Sequence, residues 1–329
     1  MGASTWQKIA LAVVSLLFCI ASKAHEIRPG LLQVIETSDD VYSIVWKQPL
    51  LGDRRLPLEP QLEPNCTKAN STIVTTSAAI VERWTTECAL SSVRIEGLER
   101  TLTDVMLEYT DTSGDGQRAL LRPESTSYTL GKNSNSSVWL YLQLGIEHLV
   151  FGYDHVLFVL ALLLLISSTR TLLITITCFT LAHSITLALS VLGWVTLPQG
   201  PIEAVIALSI VVLAYEALRP TDSLLRHRPW LAAFTFGLLH GFGFAGALRD
   251  IGLPAEDLWV ALLSFNLGIE FGQLAMIAIW VAAISLISRS PAAGVIANLT
   301  RTIAYAIGGI ATFWSLQRVI PIVSDAVQL

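Results

Sequence analysis

Six apolar stretches follow one another after Val138, and they limit this chain to a small set of folds. A helix needs about 20 apolar residues to cross the hydrocarbon core of a bilayer. Only 14% of the residues are charged and 53% are hydrophobic, whereas about a quarter of the residues in a soluble domain are charged. The sequence therefore predicts a polytopic α-helical membrane protein. The six spans are expected at residues 149–167, 171–192, 201–218, 230–248, 258–287 and 303–321.

Residues 1–24 have the pattern of a secretory signal peptide. Lys8 precedes the apolar stretch "IALAVVSLLFCI", which is too short to span a bilayer well, and the small-residue segment "ASKA" follows. Cleavage after Ala24 would make His25 the mature N-terminus, where an α-amino group and an imidazole together can chelate a metal ion. Two alternatives stay open: an uncleaved anchor helix, and a His25 that merely follows the cleavage site.

Residues 25–137 predict an all-β, sandwich-like extracytoplasmic domain, with "KNSNSS" at 132–137 as the linker. Alternation in "VYSIVW" places Tyr42, Ile44 and Trp46 on one face of a strand. The other predicted strands are "LLQVIE", "SSVRIEG", "LTDVMLEYT" and "QRALLR", separated by turn-forming segments.

Two cysteines of this exported domain are expected to form a disulfide. Export places Cys66 and Cys88 in an oxidising compartment. The bond would close a loop of about 22 residues and contribute roughly 3 kcal/mol. Cys178 lies in a later apolar stretch and is expected to be a packing residue.

The distribution of arginine predicts the topology of the membrane domain, residues 138–329. Cytoplasmic loops carry an excess of basic residues. If the β domain lies outside the cell's inner membrane and the chain crosses that membrane six times, both ends of the membrane domain lie outside. Most loop arginines then lie on the cytoplasmic side. Those arginines are Arg170, Arg219, Arg226, Arg228, Arg289 and Arg301.

Ionisable residues at the first predicted span are the first functional candidates. A charge at the centre of a bilayer costs about 2.5–3.5 kcal/mol on insertion scales, so such residues face a protein interior or a wet cavity. His148 and His155 are seven residues apart, two turns of a helix, and therefore share a face. Glu147 and Asp154 repeat that spacing.

Three later spans each add polar residues. His183 lies in "FTLAHSITLALS", and His240 lies in "FGLLHGFGFAGAL", whose glycines allow close backbone approach. In "FNLGIEFGQ", Asn266, Glu270 and Gln273 follow the i, i+4, i+7 spacing of one helix face.

These residues together predict a path for a divalent transition metal ion. Imidazole and carboxylate ligands suit Ni²⁺, Co²⁺ and Zn²⁺, and the chain has few sulfur ligands. A single one of these residues could instead be a packing residue or could join helices through a hydrogen bond. The expected metal contacts are His148, Asp154, His155, His183, His240 and Glu270, with Glu147, Asn266, Gln273 and His25 as secondary candidates.

Five motifs in order resemble those of the HupE/UreJ family of nickel permeases. They are "GIEHLVFGYDHVLFVLALLLL", "FTLAHSITLALSVLG", "IEAVIALSIVVLAYEAL", "FGLLHGFGFAGAL" and "FNLGIEFGQLA", covering nearly all of residues 139–287. "AHEIRPGLLQV" is similar to the opening of the exported domain in a divergent branch of that family. The first motif reads H-x5-D-H here, whereas nickel/cobalt permeases more broadly carry H-x4-D-H.

The resemblance implies import of Ni²⁺, or of Co²⁺, that supplies a metallo-hydrogenase or urease maturation system. It also implies that His148, Asp154 and His155 contact the ion, with His183 and His240 from the later motifs. The ion is then a transported substrate, no cofactor is permanently bound, and the protein is not an enzyme.

Two other functional classes are alternatives to a secondary permease. One is an intramembrane zinc-dependent hydrolase, in which histidines and Asp154 hold Zn²⁺ that activates water. The other is a sensor or assembly protein anchored by its helices, which leaves the intramembrane charges without a role. The net charge of -5 argues against nucleic acid as a partner. The sequence contains no G-x4-GK[ST] motif for nucleotide binding, so transport is not expected to use a nucleotide site on this chain.

Overall fold

A computed structural model describes two units of the chain. The described residues are 29–51, 54–76, 79–101, 103–114, 116–130, 137–219, 223–251, 258–288 and 296–327. A β unit contains all the strands, and a helical unit comprises residues 141–246 and 262–329. The predicted signal peptide, its cleavage site, His25 and nearly all of the predicted linker lie outside the described residues.

The apolar stretches form helices, as predicted. The described helices are α1 (Ser137–Phe151), α2 (Tyr153–Leu165), α3 (Thr169–Val191), α4 (Gln199–Leu218), the short α5 (Leu224–His227), α6 (Pro229–Ile251), α7 (Leu258–Ser288) and α8 (Ile296–Val327). In the described part of the chain, four helices are long and apolar enough to cross a membrane, namely α3, α4, α7 and α8, and the bent pair α1–α2 makes a fifth if it counts as one span. The fourth predicted span, 230–248, lies in α6, a 23-residue helix that is not among these candidates.

The first predicted span is not one straight helix. Its residues belong to α1 and α2, which meet at Gly152 with a bend of 71°. A Cβ atom at Gly152 would lie 2.5 Å from the carbonyl oxygen of His148 and 3.0 Å from Nδ1 of His155. Glycine permits this approach because it has no side chain. The seven-residue spacing of His148 and His155 predicts one straight helix for this segment, and that prediction is wrong.

Large apolar side chains from α2, α3, α4 and α8 share one core in the helical unit. Phe158, Phe179 and Trp314 are its largest members, each with 1% of its surface exposed. Helix α8 lies along α4, where Arg318 donates to Glu203 at 2.9 Å. Because this core fixes α2 against α3 and α4, it also fixes the position of His155 on α2.

Ten strands form two sheets in the described part of the β unit. The strands are β1 (Gly30–Ser38), β2 (Val41–Leu51), β3 (Arg54–Arg55), β4 (Glu59–Glu63), β5 (Ala69–Thr75), β6 (Ala79–Glu87), β7 (Ser92–Glu96), β8 (Val105–Thr110), β9 (Gly116–Leu121) and β10 (Ser127–Thr129). The larger sheet has the order β5-β6-β2-β1-β8-β9 with β3 paired to β2, and the smaller has the order β10-β7-β4. Strands β1 and β8 are parallel, and all other pairs are antiparallel.

Both sheets bury side chains in one core, which confirms the sandwich-like β fold. Tyr42, Ile44 and Trp46 on β2 all lie in this core, as their alternation predicts. Val93 and Ile95 on β7 enter it from the smaller sheet. All five predicted runs contain strands, but β3, β4, β5, β6 and β10 were missed, and β3 and β4 lie in a segment that was expected to form turns. All seven residues of β5 are exposed, and without a buried face the strand has no apolar alternation to reveal it.

The predicted disulfide is present. Cys66 and Cys88 are bonded, with their Cα atoms 5.9 Å apart. Cys66 follows β4 of the smaller sheet, and Cys88 directly follows β6 of the larger sheet. Since both cysteines pack against the shared core, the bond joins the two layers of the sandwich at its edge.

A buried ion pair joins β8 and β9 in the larger sheet. Nε of Arg118 lies 3.3 Å from Oε1 of Glu108, and Nε2 of Gln33 on β1 donates to Oε2 at 3.3 Å. Burial raises the pKa of Glu108 above its ordinary value, and the Arg118 charge and the hydrogen bonds partly offset that rise. Arg118 therefore favours the charged form of this carboxylate against the effect of burial.

We expect Arg118→Met to destabilise the larger sheet by about 3–5 kcal/mol at neutral pH, because it leaves a buried carboxylate without its partner. Loss of Arg118 raises the pKa of Glu108 further, so the folded state binds a proton that the unfolded state releases. Stability is then present at low pH and lost as the pH rises through the folded-state pKa. Hydrogen exchange of β1 and β8 amides in the full-length protein at pH 5 and pH 7, corrected for intrinsic rates, measures this difference.

Arg100→Met is the matched control, since Arg100 pairs with Glu99 on the surface, with side-chain exposures of 79% and 48%. Equal exchange in the two variants, or a defect in Arg118→Met that grows as the pH falls, would contradict this account.

Candidate metal centre

Three predicted histidines from three helices form a compact group. His148 on α1, His155 on α2 and His183 on α3 each offer one ring nitrogen, and the three nitrogens lie within 4.8 Å of one another. The ring centroid of His148 is 4.6 Å from that of His155 and 6.3 Å from that of His183. Among the described residues this three-histidine group is the one cluster of potential metal ligands so assembled.

The bend at Gly152 brings His148 and His155 together. In a straight helix, residues seven apart are separated by about 10.5 Å along the axis. The 71° bend shortens the distance between the two ring centroids to 4.6 Å. The seven-residue spacing predicts one shared face of a straight helix for the two rings, and the bend brings the rings into contact instead.

Glycines bring the helices that carry the histidines into backbone contact. A Cβ atom at Gly145 on α1 would overlap the Phe265 carbonyl of α7, and one at Gly268 would overlap the Leu142 carbonyl. On α6, Cβ atoms at Gly237 and Gly241 would overlap carbonyl groups of α3. Small residues allow such close helix packing in membranes. These contacts place α1 against α7, and α3 against α6.

Each histidine of the group has a buried ring nitrogen with no hydrogen-bond partner. Nε2 of His148, His155 and His183 are all buried and find no partner among the described residues. A buried polar atom without a partner costs about 1–3 kcal/mol. Three such atoms on neighbouring rings are unfavourable in a structure that only packs, whereas a bound metal ion supplies a partner for lone pairs of this kind.

Asn266 fixes the orientation of the His183 ring. Nδ2 of Asn266 donates to the Leu262 carbonyl at 2.8 Å, which turns its Oδ1 towards Nδ1 of His183, 3.1 Å away. An amide oxygen only accepts, so Nδ1 carries the proton, and Nε2 keeps its lone pair. Asn266 thus acts on the group through His183, as outer-shell partners of metal-binding histidines do.

Asp154 has the same relation to His155. Its Oδ1 lies 3.3 Å from Nδ1 of His155 and also accepts the backbone N–H of His155 at 3.0 Å. A carboxylate at Nδ1 places the proton there and leaves Nε2 as the acceptor of a cation. The described geometry therefore gives Asp154 an orienting position at the start of α2. Its direct contact with metal stays a prediction.

His240 lies next to the group without belonging to it. Its ring centroid is 5.1 Å from that of His155, and the ring is fully buried. Nδ1 of His240 has no hydrogen-bond partner among the described residues, and Nε2 lies 3.2 Å from Oγ of Ser209 on α4. Ser209 is not predictable from the sequence, because one serine in an apolar helix carries no distinctive pattern.

Aromatic side chains surround the histidines, and their role was not predicted from the sequence either. Phe244 and Phe265 stack with an interplanar angle of 2°, and the Phe244 ring centroid is 3.9 Å from that of His148. The ring centroids of Phe158 and Phe179 lie 5.0 Å and 5.1 Å from the ring centroid of His240. The walls are therefore apolar, which strengthens electrostatic interactions of the buried nitrogens.

The remaining predicted residues lie in other contacts. Gln273 accepts from Thr180 at 3.0 Å, and Glu270 accepts from the exposed Thr177 at 2.7 Å. Together with the contact between His183 and Asn266, these bonds form a polar seam between α3 and α7. Glu147 accepts from Gln143 one turn earlier on α1 at 3.0 Å. Neither Glu147 nor Glu270 belongs to the three-histidine group among the described residues, so their metal contacts stay predictions.

A comparison with protein families identifies the chain. The family model described as "HupE / UreJ protein" matches residues 124–318, more than half of the 329 residues. The chain belongs to the HupE/UreJ family. That family is a transporter family associated with nickel and cobalt. Neither a curated protein nor a solved structure matches the chain.

Family membership and the apolar helices together indicate a membrane protein. All three histidines of the group, His240 and the α3–α7 seam lie within the residues matched by the HupE/UreJ model. The candidate metal centre of this HupE/UreJ protein therefore lies in the part of the chain that the family match covers.

We expect Gly268→Ala to weaken metal binding to this HupE/UreJ protein by about 5- to 150-fold. The added Cβ overlaps the Leu142 carbonyl and pushes α1 away from α7, and overpacking of this kind costs about 1–3 kcal/mol. Titration calorimetry of Ni²⁺ into the detergent-purified protein measures the change. Gly309→Ala on α8 is the control, since a Cβ there meets nothing within 4 Å. A normal affinity in Gly268→Ala would show that this backbone contact does not position the group.

We also expect Asn266→Leu to reduce Ni²⁺ affinity by about 10- to 100-fold, because His183 loses the partner that holds its ring and tautomer. Asn266→Asp keeps an acceptor oxygen beside Nδ1 and should bind more tightly than the leucine variant. Titration calorimetry with Ni²⁺ measures the affinity of both variants. If both variants bind like the wild type, Asn266 does not act on His183.

Proposed function

We propose that this chain is a secondary permease that imports a divalent transition metal ion, most favourably Ni²⁺ and next Co²⁺, across the cytoplasmic membrane. The ion would bind the three-histidine group during its passage. The observation that carries this proposal is the set of three buried Nε2 atoms without hydrogen-bond partners, on rings whose nitrogens lie within 4.8 Å of one another.

The chemistry of the group supports the choice of ion. Neutral imidazole nitrogens are borderline ligands that suit Ni²⁺, Co²⁺ and Zn²⁺, whereas Mg²⁺ and Ca²⁺ prefer oxygen ligands. The group contains no sulfur, which disfavours Cu⁺. The association of the HupE/UreJ family with nickel and cobalt favours those two ions over zinc.

The burial of the ligands supports transport through alternating access. The three Nε2 atoms have no solvent contact, so an ion cannot reach them without a rearrangement. In transporters, binding near the middle of the bilayer alternates with opening to either side. The Phe244–Phe265 pair packs against His148 and is the nearest apolar cover of the group. Movement of this cover would open the group to one side.

The direction of transport follows from the predicted topology and from the membrane potential. The excess of arginine in the loops opposite the β domain supports an extracytoplasmic N-terminus. A membrane potential that is negative inside favours the entry of a divalent cation by about 4.6 kcal/mol per 100 mV. Import therefore needs no nucleotide site.

One observation favours a second candidate, an intramembrane zinc-dependent hydrolase. Three histidine ligands with a fourth position open form the arrangement of catalytic zinc sites, and the group is more compact than a path strung along four helices. Such an enzyme would retain Zn²⁺ through purification. Metal analysis of the purified protein therefore separates the two candidates, because a permease site exchanges its ion.

We expect His155→Ala to lower ⁶³Ni²⁺ uptake by cells that express the protein to the level of cells without it, since one of three ligands is lost. Uptake by the wild type should saturate, and Co²⁺ should compete more strongly than Zn²⁺. His227→Ala is the matched control, because His227 is exposed on the short helix α5 and lies outside the group.

Two results would contradict the proposal. One is wild-type uptake no greater than background for Ni²⁺, Co²⁺ and Zn²⁺ at equal expression in the membrane. The other is retention of one equivalent of Zn²⁺ by the purified wild type but not by His155→Ala, which would favour the hydrolase.

A further inference from the structure

Ser209 on α4 makes two hydrogen bonds whose directions can be assigned. Its Oγ donates to the Ile206 carbonyl at 2.7 Å and lies 3.2 Å from Nε2 of His240 on α6. Both Ser209 and His240 are buried, with 2% and 0% of their surfaces exposed. A hydroxyl group has one proton, which the Ile206 carbonyl takes because a carbonyl cannot donate.

The contact with the carbonyl, at 2.7 Å, is shorter than the contact with His240, at 3.2 Å, which assigns the hydroxyl proton to the carbonyl. The contact with His240 then runs in the other direction. Ser209 has only lone pairs left to offer, so Nε2–H of His240 donates to it. A neutral imidazole carries one proton, so Nδ1 of His240 keeps a bare lone pair. That Nδ1 is buried and has no hydrogen-bond partner among the described residues.

The bare nitrogen lies beside the three-histidine group. The His240 ring is 5.1 Å from the His155 ring, with Phe158 and Phe179 as its apolar neighbours. No hydrogen-bond donor among the described residues offsets the burial of this lone pair, which costs about 1–3 kcal/mol. A cation that leaves His155 would find a nitrogen ligand here.

We propose that Ser209 is a positioning residue that holds His240 with its Nδ1 lone pair free to accept the transition metal ion from the three-histidine group. This proposal rests on the proposed permease function. It separates two positions along the path: the group that captures the ion, and His240, which receives it next. Ser209 acts only on the second position, so its loss should slow transfer without weakening capture.

The tautomer of His240 gives a readout that does not depend on transport. The chain has six histidines, so the ¹⁵N spectrum of histidine-labelled protein in lipid is simple, and His240→Gln identifies the His240 signals by difference. In the wild type we expect the proton of His240 on Nε2. In Ser209→Ala the Nε2–H loses its acceptor, and we expect a mixture of tautomers.

Transport and binding are then measured on the same variants. We expect Ser209→Ala to lower the maximal rate of ⁶³Ni²⁺ uptake by about 10-fold or more, the range typical of outer-shell partners, with unchanged Ni²⁺ affinity by calorimetry. Ser209→Thr keeps the hydroxyl group and should retain most of the rate. Ser184→Ala on α3 is the control. Like Ser209, Ser184 donates to a backbone carbonyl of its own helix, that of Thr180 at 2.7 Å. The control therefore measures the effect of losing a serine-to-carbonyl hydrogen bond by itself.

The following results would each contradict one part of the proposal. A proton on Nδ1 of His240 in the wild type, or normal uptake by Ser209→Ala, would show that Ser209 has no positioning role. Parallel loss of affinity and rate in Ser209→Ala would show a general structural role. If the wild type itself takes up no metal, the permease function fails, and the role of Ser209 then stands or falls on the His240 spectrum alone.

Discussion

Buried imidazole nitrogens govern the structure of the helical unit. An imidazole has two nitrogens, and in an apolar interior each needs a partner. In His155, His183 and His240, one nitrogen is held by Asp154, Asn266 and Ser209, respectively. The other nitrogen of each ring has no hydrogen-bond partner among the described residues. The protein thus fixes the orientation of its histidines on one side and leaves their lone pairs unsatisfied on the other.

This arrangement is possible only because the helices are held unusually close. Gly145 and Gly268 bring α1 against α7, while Gly237 and Gly241 bring α3 against α6. The bend at Gly152 adds a local change of direction that places His148 beside His155. Aromatic rings then fill the space around the histidines and exclude water. The unsatisfied nitrogens and the dry surroundings together favour capture of a desolvated cation, because a low dielectric strengthens the attraction between cation and ligand.

Two carboxylates that were predicted to bind metal make other contacts in the described structure. Both Asp154 and Glu270 were expected to contact the metal directly. In the described geometry Asp154 orients His155, and Glu270 bonds Thr177 at the α3–α7 seam. Helical spacing places Glu270 on the same stripe as Asn266, but a stripe spans a wide angle of the helix surface. Which part of it faces the histidines depends on how α7 is rotated against α3, and periodicity does not specify that rotation.

In the β unit, alternation in the sequence identified the strands that bury one face, as in Tyr42, Ile44 and Trp46 of β2. It missed β5, whose exposed residues gain order from pairing with β6 rather than from burial. The sequence by itself determined the two-part organisation, the apolar helices, the disulfide and the identity of the histidines, because these depend on composition and local spacing. Tertiary structure alone decided which nitrogens meet. That outcome depends on the bend at Gly152, and also on glycine contacts between helices and on hydrogen bonds to Asn266 and Ser209. These contacts and hydrogen bonds join residues far apart in the chain.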